Sequence, residues 1–292
     1  MMVTIETYAR RWRVTAKKLV AEPWVRLLAS AAVHFFGGML VSAASLARHC
    51  QPLAVGLLCA YTGWRAVVMA LGAGVGYLLF WGTAGYQGLL WLGLALPVAL
   101  ILGKRQIIHE SALLMSSIAA LIISASGLFF QLFREDTTPV AAYLLRIFTG
   151  AVSARLFYLV RDRRDPVTDW LAEGIAVLSL AQITPFPGFS LGFPAAGLLA
   201  AGGALPAAAL AGLALDVSQI TTTPMTGILC LAYLCRLIPW GRRWIPYAAP
   251  AAVYIAVMKL GGFSDFLPAL GLAAGGAAAV LLPPKPELRH RR

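Results

Sequence analysis

Long apolar runs recur from residue 27 to residue 282, and they limit this chain more than any motif does. A helix crossing a hydrocarbon layer of about 30 Å needs roughly 20 such residues. Residues 27–47, 86–103, 111–130 and 139–160 meet that length, and 222–239, 245–260 and 265–282 approach it. Charged residues make up 12% of the chain, against roughly 25% in a soluble domain. That supply cannot coat a water-facing surface, so the composition excludes a soluble enzyme, a disordered tail and a secreted disulfide scaffold. The mean hydropathy of +0.77 and the 28 Gly and 17 Pro fit membrane helices, which tolerate both residues. The expected fold is all-α: a polytopic integral membrane helical bundle of about ten transmembrane helices, within a range of eight to twelve.

Other runs are short. Residues 52–63 and 66–81 are brief, 170–184 stops at Pro185, and 188–217 is interrupted near Gly202-Gly203 and Pro206. Such segments span with snorkelling flanks, or form broken helices that line a cavity. Three parts follow: a basic amphipathic segment over 1–26, a transmembrane domain over 27–282 and a basic tail over 283–292. In the first, Ile5, Tyr8, Ala9, Trp12, Ala16 and Leu19 recur at helical spacing, with Arg10, Arg13 and Lys17 on another face. That pattern suits a helix lying on an anionic inner leaflet.

The net charge of +12 is concentrated at the ends of the apolar runs, with six basic residues in 10–26 and four in 285–292. Basic residues favour the cytoplasmic side of a bacterial plasma membrane, so this placement argues against nucleic-acid binding. With 1–26 inside, the loops at Arg65, at Lys104-Arg105, at Arg161–Asp165 and at Arg236–Arg243 all fall inside. Both termini are then cytoplasmic, and Arg48 is the main exception outside.

The sequence carries almost no motif of reaction chemistry. No HExxH, GxSxG or P-loop occurs, and Cys50, Cys59, Cys230 and Cys235 form no CxxC. No metal, cofactor or enzymatic activity is expected. The pairs Gly72 with Gly76, Gly188 with Gly192 and Gly271 with Gly275 have small-xxx-small spacing. Small residues let helices in lipid approach closely, so these pairs predict tight packing or self-association. Ionisable groups inside apolar runs are costly, at about 2.5–3.5 kcal/mol each at mid-bilayer, and therefore become the candidate functional residues. Arg146 lies deep in its run. Arg155 is nine positions on, at nearly the opposite face, with Glu173 as its expected partner. Asp216 precedes Thr221, Thr222 and Thr223 and predicts a polar cluster; His34 lies in the first run. A transporter would use Arg146, Glu173 and Asp216 around a mid-membrane polar site. The two halves show no convincing shared motif, which weighs against that class.

The order of features resembles a known family. FFGGMLVSAASLA followed by QPLAVGLLCAYTGWRAVVMALGAGVGYLLF is similar to the start of the membrane region of stage II sporulation protein E, with Pro52-Leu53-Ala54 and the turn at Arg65 in matching order. WLAEGIAVLSLA and the closing ALGLAAGGAAAVLLPPK resemble its later helices, so the likeness covers about residues 20–286. The resemblance implies a membrane anchor acting in sporulation and asymmetric division. In that family the region positions a cytoplasmic serine phosphatase, which works beside a division-protein-binding segment. A phosphatase needs clustered metal-binding aspartates. The six Asp here, at 136, 162, 165, 169, 216 and 265, are scattered. The expectation is a non-enzymatic scaffold that self-associates and presents its ends to a cytoplasmic division or phosphatase partner.

Overall fold

The computed structural model describes residues 22–46, 49–102, 111–134, 139–162, 165–238, 244–262 and 265–281. Of the amphipathic segment expected over 1–26, residues 1–21 lie outside the described residues, as do the basic tail over 283–292 and the basic stretches 103–110 and 239–243.

The helix boundaries follow local chemistry. Helix α1 covers Pro23–Ser42 and starts earlier than the apolar run, because Pro23 occupies the first turn, where its missing N–H costs nothing. It also stops earlier: the chain leaves it into a two-stranded hairpin, β1 (Ser45–Leu46) and β2 (His49–Cys50), which pairs Ser45 with Cys50. Helix α2, Leu53–Ala60, follows with every residue buried. Helix α3 covers Gly63–Trp81 and α4 covers Gly85–Leu102, joined by a 3-10 turn at Gly82–Ala84. Helices α5, Ala112–Arg134, and α6, Val140–Asp162, complete the first half.

The second half repeats the first. Helix α7, Pro166–Ala181, runs into a reversal in which Phe186 and Phe189 bridge, and then into a short helix α8, Gly192–Gly202. Helices α9 (Leu205–Ser218), α10 (Met225–Leu237), α11 (Ile245–Gly261) and α12 (Leu267–Leu281) follow. Each helix packs as the helix six places earlier does. The pairs α1 with α3, α2 with α6, α3 with α4 and α5 with α6 recur as α7 with α9, α8 with α12, α9 with α10 and α11 with α12. Among the described residues the helices thus form two units of six, which touch through α1 and α7, α6 and α7, and β1 and α9. This corrects the expectation that the halves share no motif. A trace survives in sequence: AVGLLCA at 54–60 in α2 and AAGLLAA at 195–201 in α8 agree at five of seven positions.

Glycine contacts fix the helix directions. An added Cβ at Gly72 would overlap the Phe35 carbonyl, and one at Gly76 the Ser42 hydroxyl and Met39 carbonyl, so α1 and α3 run parallel. Gly150 meets Pro52, Gly56 meets Ser153 and Ala154, and Arg161 donates to the Ala60 carbonyl, so α2 and α6 are also parallel. Helix α2 returns from the C-terminal end of α3, where Tyr77 donates to the Gln51 carbonyl, toward its start. In the second unit Gly271 meets Phe193, Gly275 meets Leu198 and Gly202 meets Ala279, again parallel. These directions place the start of α1 and the end of α12 at one end of the bundle.

Three segments, Pro23–Ser42, Gly63–Ile101 taken through its turn, and Val140–Arg161, are long and apolar enough to cross a membrane. The other apolar helices are shorter. The core is built of Ala, Leu, Met and a few large rings, Trp91, Tyr77, Tyr254 and Phe193, while Val33, Leu79, Ile101, Leu113, Leu121 and Phe148 point outward.

Of the predicted glycine pairs, Gly72 with Gly76 and Gly271 with Gly275 pack helices. Gly188 does not: it sits in the reversal before α8 at φ +81°, a conformation that side-chain-bearing residues rarely adopt. Its partner Gly192 packs on Ala181. The stripes meet helices of this same chain, so they do not present a free face for self-association.

Candidate functional site

One cluster of interior polar side chains lies in the first unit, where α2 begins. Arg146, on α6, is 8% exposed, and its guanidinium carbon lies 5.8 Å from the ring centroid of fully buried Trp91 on α4. A guanidinium over an indole face is held by the ring quadrupole, more strongly where water is excluded. One turn along α6, Thr149 donates to Gln51 Oε1 at 3.0 Å, and the Gln51 amide donates to the His49 carbonyl at 3.2 Å. Tyr77 packs edge-on against Trp91 with ring centroids 6.0 Å apart, and its hydroxyl donates to the Gln51 carbonyl at 3.1 Å. Charge alone marked Arg146 in the sequence. Gln51, Thr149, Tyr77 and Trp91 gave no signal, because uncharged residues inside an apolar run do not disturb its pattern.

Asp216 stands elsewhere, at the end of α9. Its carboxylate accepts from the Met225 N–H at 2.7 Å, the Thr226 N–H at 2.9 Å and the Thr226 hydroxyl at 2.5 Å. It closes the N-terminus of α10, where the helix dipole and free N–H groups favour an anion. The polar cluster expected around Asp216 does form, but Thr226 replaces the neighbouring threonines as its partner. Thr221 and Thr223 instead bond each other.

Arg155 is exposed on the face of α6 away from Arg146, as the nine-residue spacing requires. The ion pair expected between Arg155 and Glu173 is not among the contacts of the described residues, and Glu173, half-buried on α7, has its own interaction. His34 bonds the Ser30 carbonyl one turn back and packs edge-on against Tyr61. The structure therefore does not gather Arg146, Glu173 and Asp216 into one site. Arg146 serves the start of α2, and Asp216 serves the start of α10.

A second pair of arginines does the complementary task. Arg161 donates to the Ala60 carbonyl at 2.6 Å, and Arg236 donates to the Gly203 carbonyl at 2.9 Å. Each closes the C-terminal end of a short helix, α2 or α8, where a cation suits the dipole. They come from non-equivalent helices, α6 and α10, so the two units close their short helices with different residues.

All four cysteines are free thiols, and among the described residues no three His, Cys, Asp or Glu come together to hold a metal ion. The chain matches no family model, no curated protein and no solved structure.

Proposed function

We propose that this chain is a membrane-embedded, non-enzymatic scaffold of the stage II sporulation protein E type, which anchors a cytoplasmic division or phosphatase partner in the bacterial plasma membrane. The observation that carries this reading is how the charges on the apolar helices are employed. Asp216 closes α10, Arg161 and Arg236 close α2 and α8, and Arg146 stacks on Trp91. Each is spent on building the bundle rather than pooled around a solute. The outward-facing leucines and phenylalanines suit lipid. The end of the bundle where α1 starts carries Arg26, Arg65, Arg161 and Arg236, which on the positive-inside rule is the cytoplasmic end. Both termini then leave on the side where a soluble partner waits, beside an anionic inner leaflet.

The test is imaging. A fluorescent fusion of the full chain, made in a spore-forming bacterium, is expected to concentrate at the asymmetric septum. Even distribution around the cell throughout sporulation would overturn the reading.

A small-solute transporter is the second reading, and the duplicated six-helix unit favours it, since many transporters rock two repeats about a shared axis. Proteoliposomes of the full chain that take up no small solute would remove it, and uptake that survives Arg146→Met, Glu173→Leu and Asp216→Leu would remove only those residues as its site.

A further inference from the structure

The two units differ in height. Helices α1, α3, α4, α5 and α6 hold 18–23 residues, about 27–35 Å at 1.5 Å per residue. Their counterparts α7, α9, α10, α11 and α12 hold 13–17 residues, about 20–26 Å. All three segments long and apolar enough to cross a membrane lie in the first unit. A hydrocarbon core is about 30 Å thick, so the first unit matches it and the second falls short. The short helices end at definite signals. Pro206 sits in the first turn of α9, and Gln219 closes that helix in the left-handed conformation at φ 55°. On α10, Asp216 holds the Thr226 N–H at one end, and Arg236 reaches the Gly203 carbonyl at the other. Thr226 and Arg236 are about 15 Å apart along the helix. Leu231 and Leu234 between them are about half exposed. The missing height lies at the end away from the start of α1. Helices α6 and α7 share the end where α1 starts, because only three residues join them. Gly192 meets both Ala181 and Leu215, so α7 and α9 finish level, about 24 Å from that shared end. Gly212 meets Thr226, so α10 begins no higher. Helix α6 spans about 35 Å from the same end.

We propose that the second unit thins the bilayer: the outer leaflet descends by about 10 Å around α9 and α10, and the phospholipids that fit there carry short acyl chains. Full-length chains would leave the Asp216 carboxylate and the exposed Thr222 hydroxyl in hydrocarbon, where neither finds water. Compressing the lipid costs less than desolvating those groups, since mismatch strain is modest for each ångström. Tilting cannot serve instead, because a tilted helix spans less of the bilayer, not more. The first unit, at full height beside the second, makes the protein a step between two membrane thicknesses. The inference rests on the membrane-embedded part of the reading above and adds the lipid that such a bundle selects.

The test measures depth. Nitroxides are attached singly to Gly227→Cys and Leu237→Cys on α10 and to Val152→Cys on α6, in the full chain carrying Cys230→Ala and Cys235→Ala. All three labelled positions are exposed. The chain is reconstituted in dioleoylphosphatidylcholine vesicles, and depth is read from relaxation by oxygen against relaxation by a water-soluble nickel chelate. The expected result places the Gly227 and Leu237 labels both at headgroup depth and the Val152 label in mid-hydrocarbon. Positions ten residues apart on one helix reach both headgroup layers only where the bilayer is thin. A Gly227 label buried in hydrocarbon would overturn the thinning and leave the membrane reading intact. A Val152 label outside hydrocarbon would overturn the membrane reading and this inference with it. The unlabelled chain supplies a measurement that needs no substitution. Its Tm is expected to be several degrees higher in dimyristoleoyl- than in dierucoylphosphatidylcholine, and a Tm that stays constant or rises with acyl length would overturn the proposal.

Discussion

Replacing Asp216 by alanine removes the acceptor of three hydrogen bonds at once and leaves two backbone N–H groups of α10 with nothing to meet. The loss of an N-terminal cap costs about 1 kcal/mol, and charged acceptors raise that figure. Asp216→Ala is therefore expected to destabilise the bundle by about 2 kcal/mol, and Asp216→Asn by roughly half as much, since the amide keeps one acceptor. Equilibrium unfolding in mixed detergent micelles measures both; equal effects from the two variants would show that the single acceptor the amide keeps contributes nothing and that the charge and the second oxygen carry the whole effect. The sequence exposed Asp216 as a charge near a break between helices, and no more. Its partner, Thr226, lies ten residues on across a turn, and only the folded turn brings them together. Trp91 and Gln51 were still less legible, because a buried uncharged side chain looks like its apolar neighbours until its contacts are known.

Helix contacts decide which glycines matter. On α12, a side chain at Gly275 would strike the backbone of Pro194 and Leu198, whereas on α4 nothing lies within 4 Å of a Cβ built at Gly93. Backbone cannot move aside as a flexible side chain can, so Gly275→Leu is expected to cost about 3 kcal/mol or to prevent folding. Gly93→Ala should be neutral or stabilise by up to about 1 kcal/mol, from the lower entropy of its unfolded chain and its better helix propensity. The yield of monodisperse protein and its Tm distinguish the two, and a Gly275 variant as stable as the parent would refute the parallel packing of α8 and α12. At the other end of the short helices, Arg161→Met leaves the final carbonyl of α2 without its donor. Faster hydrogen exchange confined to the last turn of α2 is the expected readout. Run lengths predicted most of these elements, and the break between α8 and α9 fell close to the expected glycines. The hairpin at 45–50 went unseen because β1 and β2 are two residues each, too short for any periodicity to register.

At the scale of the whole molecule, the duplication fixes relations that no single helix could. Helix α6 runs with α2 and against α1, and only three residues separate it from the Pro166 that opens α7. Helix α7 therefore starts at the end where α1 starts, and the second unit repeats the first without inverting it. The two short helices enter from the same end and both finish against an arginine at the other. An inverted repeat would instead put the α3–α4 turn and the α9–α10 turn at opposite ends. Exposed Thr83 and Thr222 mark those two turns, and exposed Asp165 marks the junction between the units. Cysteines placed singly at Thr83 and Thr222 are expected to react with a membrane-impermeant maleimide on intact cells, measured against the unsubstituted chain. A cysteine at Asp165 should react only after the membrane is opened. Labelling of Thr222→Cys together with Asp165→Cys, rather than with Thr83→Cys, would mean that the units are inverted. The sequence concealed this relation because close packing of apolar helices asks only for small and apolar residues, which leaves two related units free to diverge widely outside the buried α2 and α8.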